Sequence, residues 1–122
     1  MPITIIMGDC NYLKRVNDAY GHEYGDLLLK RVGRVIRENL LPESVALRMG
    51  GDEFLIACNH FSAEEAEQLI ERLHGELARQ SDDRLKLDVA FGYHTVTEGP
   101  FDYVAVYHAA DRDMYRNKRK NR

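Results

Sequence analysis

Asp9 follows a short apolar run, residues 3–7, after the single residue Gly8, and Asp52 and Glu53 follow a glycine pair, Gly50 and Gly51, between two further apolar segments. If those two segments form a hairpin beside the first strand, three carboxylates meet at one end of a sheet. Unpaired carboxylates that close repel one another, and their pKa values rise. A hard divalent cation removes the repulsion. Mg2+ takes one or two protein carboxylates, a backbone carbonyl and the phosphate oxygens of a nucleotide. Two such ions can activate an attacking hydroxyl and neutralise a leaving group. Glycines without a Cβ would let a bulky ligand lie against the hairpin backbone. An isolated Asp-Glu or Gly-Gly pair is equally an ordinary turn, so these residues alone leave both readings open.

The elements that must position them are readable from periodicity. Residues 3–7, ITIIM, form a continuous β-branched run suited to a buried central strand. A short helical turn over 10–18 is expected to end in GHEYGD, broken by its two glycines. From about Asp26 to Asn39, Leu28, Val32, Val35 and Ile36 share a helical face, and Pro42 stops that helix. Residues 45–49 and 54–58 are the strands of the hairpin around GGDE. Ser62 with Glu65 makes a capping box for a helix with Ala66, Leu69, Ile70, Leu73 and Leu77 on one face. Residues 85–97 contain a strand, with Gly92 at a close approach or bulge. A last helix over about 101–118 carries Val104, His108, Asp111 and Tyr115 at helical spacing. Leu13, Tyr20, Met49, Phe54, Phe91, Met114 and Tyr115 are expected in the core. The order β-α-β-β-α-β-α implies an α+β fold, a mainly antiparallel central sheet flanked by helices, close to the ferredoxin-like plan.

Composition bounds the rest. The chain has 122 residues, 44% hydrophobic and 30% charged, which fits one globular domain. No apolar run approaches a membrane span, and the first residues do not read as a signal peptide. Net charge is −3, but the last seven residues, RNKRKNR, hold five basic groups and no acidic one. Residues 1–115 are left with 12 basic against 20 acidic groups, a net −8. An acidic body argues against nucleic acid as partner. The basic end is either a solvated helix terminus, where cations suit the helix dipole, or a phosphate-binding segment. Cys10 and Cys58 lack metal-ligand spacing and read as free buried thiols of a reducing, cytoplasmic compartment.

Read together, DCNYLKRVNDAYGHEYGD at 9–26, RMGGDEF at 48–54 and ADRDMYRNKRKNR at 110–122 resemble the GGDEF family, the bacterial diguanylate cyclases that make cyclic di-GMP from two GTP. Asp9, Asn11, Leu13, Lys14, Asn17, Asp18, Gly21, His22, Gly25 and Asp26 match the first family block in spacing. The resemblance runs from Ile3 over nearly the whole chain and implies the family's nucleotidyl-cyclase-like fold. It also implies roles. Asp9 and Asp52 match the family's Mg2+ carboxylates, with Mn2+ as a substitute, and Cys10 matches a position that offers its main-chain carbonyl to the metal. Asp52 is also the proposed base for the attacking 3′-hydroxyl, and Glu53 its acidic neighbour. Lys14 matches a lysine that stabilises charge at the reacting phosphates. Asn17 and Asp26 match residues that read guanine, and His22 a further substrate contact. Lys118 and Arg122 match cations that hold the phosphate chain, which favours the phosphate reading of the basic end. Gly50 and Gly51 are the glycines of the signature.

The implied activity is nucleotidyl transfer between two GTP molecules held by a homodimer, with sensory or other domains attached in the full-length protein. Three departures stand out. The segment that usually precedes the first strand, with a motif like DxLTxLxNR, has no counterpart here, so residues 1–122 are expected to form a single domain lacking part of the guanine pocket. The RxxD motif of the product-inhibition site is replaced at its ends by Leu41 and Ser44. Ala90 and Asn121 stand where serine and glycine are common. The alternative to a cyclase is an inactive GTP-binding module that regulates a neighbouring domain.

Overall fold

A computed structural model describes the backbone of residues 2–120 and the side chains of residues 2–118. Arg122 therefore lies outside the described residues. The elements are β1 (Ile3–Cys10), α1 (Leu13–Tyr20), α2 (His22–Glu38), β2 (Ser44–Gly50), β3 (Glu53–Asn59), α3 (Ala63–Arg79), β4 (Val89–Val96) and α4 (Tyr103–Lys120). The strands form one sheet in the order β2-β3-β1-β4, every neighbouring pair antiparallel. Two β-α-β units are thus interleaved, each holding a strand of the other between its own two. This is the expected α+β plan.

β1 is buried at all eight positions because helices cover both of its faces. Ile6 and Cys10 pack with α2 and α3, alongside Leu28, Val32, Ile36, Leu69 and Leu73. Ile5 and Met7 pack on the other face against Val106, Ala110 and Met114 of α4. The capping box at Ser62 and Glu65 opens α3, as expected.

Several expectations need correcting. Only Gly21 (φ +94) breaks the α1–α2 segment; α2 starts at His22 and runs through Gly25. A Cβ on Gly25 would stand 1.8 Å from Asn17 Oδ1, so this glycine lets two helices close on each other. β4 is shorter than expected, since Leu85 and Leu87 are buried but lie before the ladder begins. The buried row of α4 is Val106, Ala110 and Met114, while Val104 and Tyr115 are 64% and 48% exposed. Tyr20 and Met49 are also exposed. Met49 sits with Val45 and Leu47 on edge strand β2, whereas α4 lies over β4 and β1.

Gly92 is the close approach that the sequence suggests. A Cβ there would lie 2.0 Å from the Met114 main-chain nitrogen. Backbone cannot swing aside as a side-chain end can, so Gly92→Ala must push α4 off the sheet. The expected cost is about 3 kcal/mol or more, read by chemical denaturation; a loss under roughly 1 kcal/mol would contradict this packing.

Candidate active site

The hairpin tip reaches the end of β1 through main-chain pairing. Asp9 is opposite Glu53 in the β1–β3 ladder, and the Cys10 N–H donates to the Asp52 carbonyl at 2.9 Å. The turn before Asp52 uses left-handed backbone at Gly50 (φ +119) and Gly51 (φ +42), where a side chain would be strained. Nothing stands within 4 Å of the place a Cβ would occupy at either glycine, so the space over the turn is open. Arg48 holds the turn from below: its Nε and Nη2 both donate to the Gly51 carbonyl, at 3.0 and 2.8 Å. Sequence reasoning missed Arg48; its place three residues before that carbonyl is the only signal it gave.

Asp9 projects to the face covered by α4. It is 4% exposed, and its Oδ2 accepts from Lys118 Nζ at 2.7 Å. Among the described residues its Oδ1 has no hydrogen-bond partner. Burial holds the Asp9 carboxyl above its usual range; Lys118 pulls it down, and the adjacent Asp52 carboxyl pushes it up again. Glu53 is raised by burial and by the charges of Asp111, Asp9 and Asp52. Burial, then Asp52 and Asp9, push the Cys10 thiol up to about 12, so it stays protonated and carries no thiolate chemistry. The Asp9 and Asp52 side chains therefore share one site, as the chemistry of the opening residues requires.

A cavity of about 730 Å3 opens beside them, lined by Cys10, Lys14, Arg15, Asp18, Asp52 and Lys118 among others. Lys14 is exposed and bonded to Asp18 Oδ2 at 3.0 Å. Asn17, His22 and Asp26 lie at the α1–α2 junction and are not among the residues lining this cavity, with His22 and Asp26 exposed on the first turns of α2. Asn17 Oδ1 is buried and has no hydrogen-bond partner among the described residues. Among the described residues no three His, Cys, Asp or Glu side chains form a ready metal cage. Two carboxylates with a free buried oxygen suit instead a hard cation that keeps most of its coordination sphere for water and phosphate.

The family model "Diguanylate cyclase, GGDEF domain" matches residues 1–122. The chain belongs to the GGDEF family. Among curated relatives, this GGDEF domain is 28% identical over 127 residues to the probable diguanylate cyclase DgcT of Escherichia coli (strain K12), covering 99% of this chain and 28% of that protein. It is 27% identical over 124 residues to diguanylate cyclase A of Treponema denticola, covering 98% of this chain and 33% of that protein. The chain thus spans a third or less of these relatives. Among solved structures, the GGDEF domain of DgcB from Caulobacter crescentus, in complex with c-di-GMP, superposes with a TM-score of 0.89 at 26% identity, over 99% of this chain and 74% of that one. The GGDEF domain of PA1120 from Pseudomonas aeruginosa gives 0.86 at 25%, over 98% and 77%. No described helix of this GGDEF domain is long and apolar enough to cross a membrane.

The raised Asp9 carboxyl has a stability consequence. Its ionised form is disfavoured in the fold, so the cost is present above the folded pKa and vanishes below the ordinary value of 3.8. In chelator at pH 7, Asp9→Asn should melt at a higher temperature than the parent, and the gap should close as the pH falls through the folded pKa. Thermal melts across pH test this; a variant less stable at neutral pH would show that Lys118 outweighs burial.

Proposed function

We propose that this domain condenses two GTP molecules into cyclic di-GMP and releases pyrophosphate. The observation that carries the reading is the meeting of Asp9 and Asp52, with a buried oxygen that no described residue pairs, beside a cavity lined by Lys14 and Lys118. The names of the relatives support the same reaction.

Asp9, through Oδ1, and Asp52 would hold a divalent ion, Mg2+ or in its place Mn2+, with the Cys10 main-chain carbonyl as a further donor. Such an ion, when bound, neutralises phosphate charge and favours ionisation of the attacking hydroxyl. Asp52 accepts the proton of the 3′-hydroxyl, and Glu53 keeps the local charge negative. The 3′-oxygen of one GTP bonds to the α-phosphorus of the other; the bond to the bridging oxygen breaks, and its electrons leave on pyrophosphate. A second such step closes the ring. The open backbone of Gly50 and Gly51 gives the triphosphate room, and the ammonium groups of Lys14 and Lys118 share its charge. Arg122 would add a further cation. Asn17, Asp26 and His22 take the base: a carboxylate accepts from the N1 and N2 hydrogens of guanine, and an amide both donates and accepts.

Each domain would hold one GTP, so two copies must meet face to face, brought together by an attached sensory module. Leu41, 39% exposed and apolar, offers nothing to a phosphate. No feedback inhibition through an RxxD site is therefore expected.

Concentrated protein with GTP and MgCl2 should yield cyclic di-GMP and pyrophosphate by chromatography, and Asp52→Ala should abolish both. GTP binding without dinucleotide, even in a fused dimer, would instead favour the regulatory module. Asp26→Ala should relax the preference for GTP over ATP, since losing the partner of two donors costs about 1–3 kcal/mol. Unchanged selectivity in a competition assay would remove Asp26 from the base pocket.

A further inference from the structure

Lys118 ends a buried row. Val106, Ala110 and Met114 of α4 lie against the sheet at i, i+4 and i+8, and Lys118 follows at the next step. The helix end is tied down around it. Asn117 Nδ2 donates to the Phe91 carbonyl at 2.6 Å, and the Tyr93 N–H donates to Asp113 Oδ2 at 2.9 Å. The Lys118 ammonium consequently lands on Asp9, with side-chain exposures of only 19% and 6% for the two partners.

We infer that Lys118 is the resting counter-cation of the acidic pair, and that it couples metal loading to triphosphate binding. This rests on the metal and nucleotide reading above. The ammonium occupies one oxygen of the carboxylate whose other oxygen would ligate the ion. A bare divalent cation must settle against that fixed positive charge or drive it off. An ion that arrives with a triphosphate brings acceptors for the same ammonium, which can leave Asp9 at little cost. The site therefore discriminates against free metal and in favour of the metal–triphosphate complex. One side chain acts with opposite sign on the two ligands. A lysine that only packed the helix end, its charge shielded from both ligands, would leave both affinities unchanged.

The test uses chelator-stripped protein, Mn2+ as probe and a GTP analogue with a non-cleavable α–β bridge, followed by calorimetry. Lys118→Met should bind Mn2+ alone roughly tenfold tighter than the parent and the Mn2+–analogue complex roughly tenfold weaker. Lys118→Arg, which keeps the charge, should bind Mn2+ alone as the parent does. Because Lys118→Met leaves a buried carboxylate without its partner, the Mn2+-induced rise in melting temperature is read on the same samples. It should be larger in the variant even if the variant starts lower. Mn2+ affinity that is unchanged or weaker in Lys118→Met would overturn the inference about Lys118 while leaving the site intact. A parent protein that takes up neither Mn2+ nor the Mn2+–analogue complex at millimolar concentration would overturn the site reading itself.

Discussion

The β1–β3 register decides on which side of the sheet the chemistry sits. Side chains alternate along a strand, so a slip of one residue would send every one to the opposite face. Ile5 and Met7 must face α4, and their partners across the ladder are Ala57 and Leu55. Asp9 and Glu53, two residues further along the same two strands, are carried to that face with them. The apolar core thus aims the carboxylates without any contact made for their sake. The same face receives α4, whose buried row ends in Lys118. Acid and base meet 109 positions apart in sequence because both extend hydrophobic rows that pack on each other.

Holding carboxylates together without a bound cation is unfavourable, and the fold meets that cost with backbone. Asp52 is fixed on both sides of its peptide unit. Arg48 grips the Gly51 carbonyl before it, and Cys10 donates to its own carbonyl. Two glycines in left-handed conformations make so tight a turn possible, and they would otherwise be its loosest point. The burial that raises Asp9 and Glu53 is a stability deficit, and on the proposed reading a bound cation would relieve it.

Much of this was legible in the chain. The β-branched run of β1, the hairpin about Gly50 and Gly51, the capping box at Ser62 and the apolar faces of α2 and α3 all follow from local patterns, and local patterns set local structure. The motif blocks placed Asp9, Asp52 and Lys118 in one site, and Asp9, Asp52 and Lys118 do meet. What local pattern could not deliver was orientation. In α4 the row at 104, 108, 111 and 115 looked as helical as the row at 106, 110 and 114; only the sheet beneath, and the clearance at Gly92, selects between them. Gly25 looked like a breaker because its use is to admit Asn17, a contact across two helices. Tyr20 and Met49 are apolar enough for a core, but no element covers them. Arg48 acts through geometry that exists only once the turn has formed.

Two loose ends in the polar network bear on where a ligand belongs. Folded proteins pair nearly all buried polar atoms, and three buried side-chain oxygens lack a hydrogen-bond partner among the described residues: Asp9 Oδ1, Asn17 Oδ1 and Ser44 Oγ. Ser44 sits beside the Cys58 thiol, a weak partner that accounts for it. The other two belong to residues that the proposed function puts at opposite ends of one nucleotide, Asp9 at the phosphates and Asn17 at the base. They lie on different elements: Asp9 has the Asp52 carboxyl as its neighbour, and Asn17 Oδ1 faces Gly25 where α1 and α2 close on each other. On the proposed reading, both oxygens belong to residues that a bound nucleotide would touch, and it would supply partners that the described side chains do not.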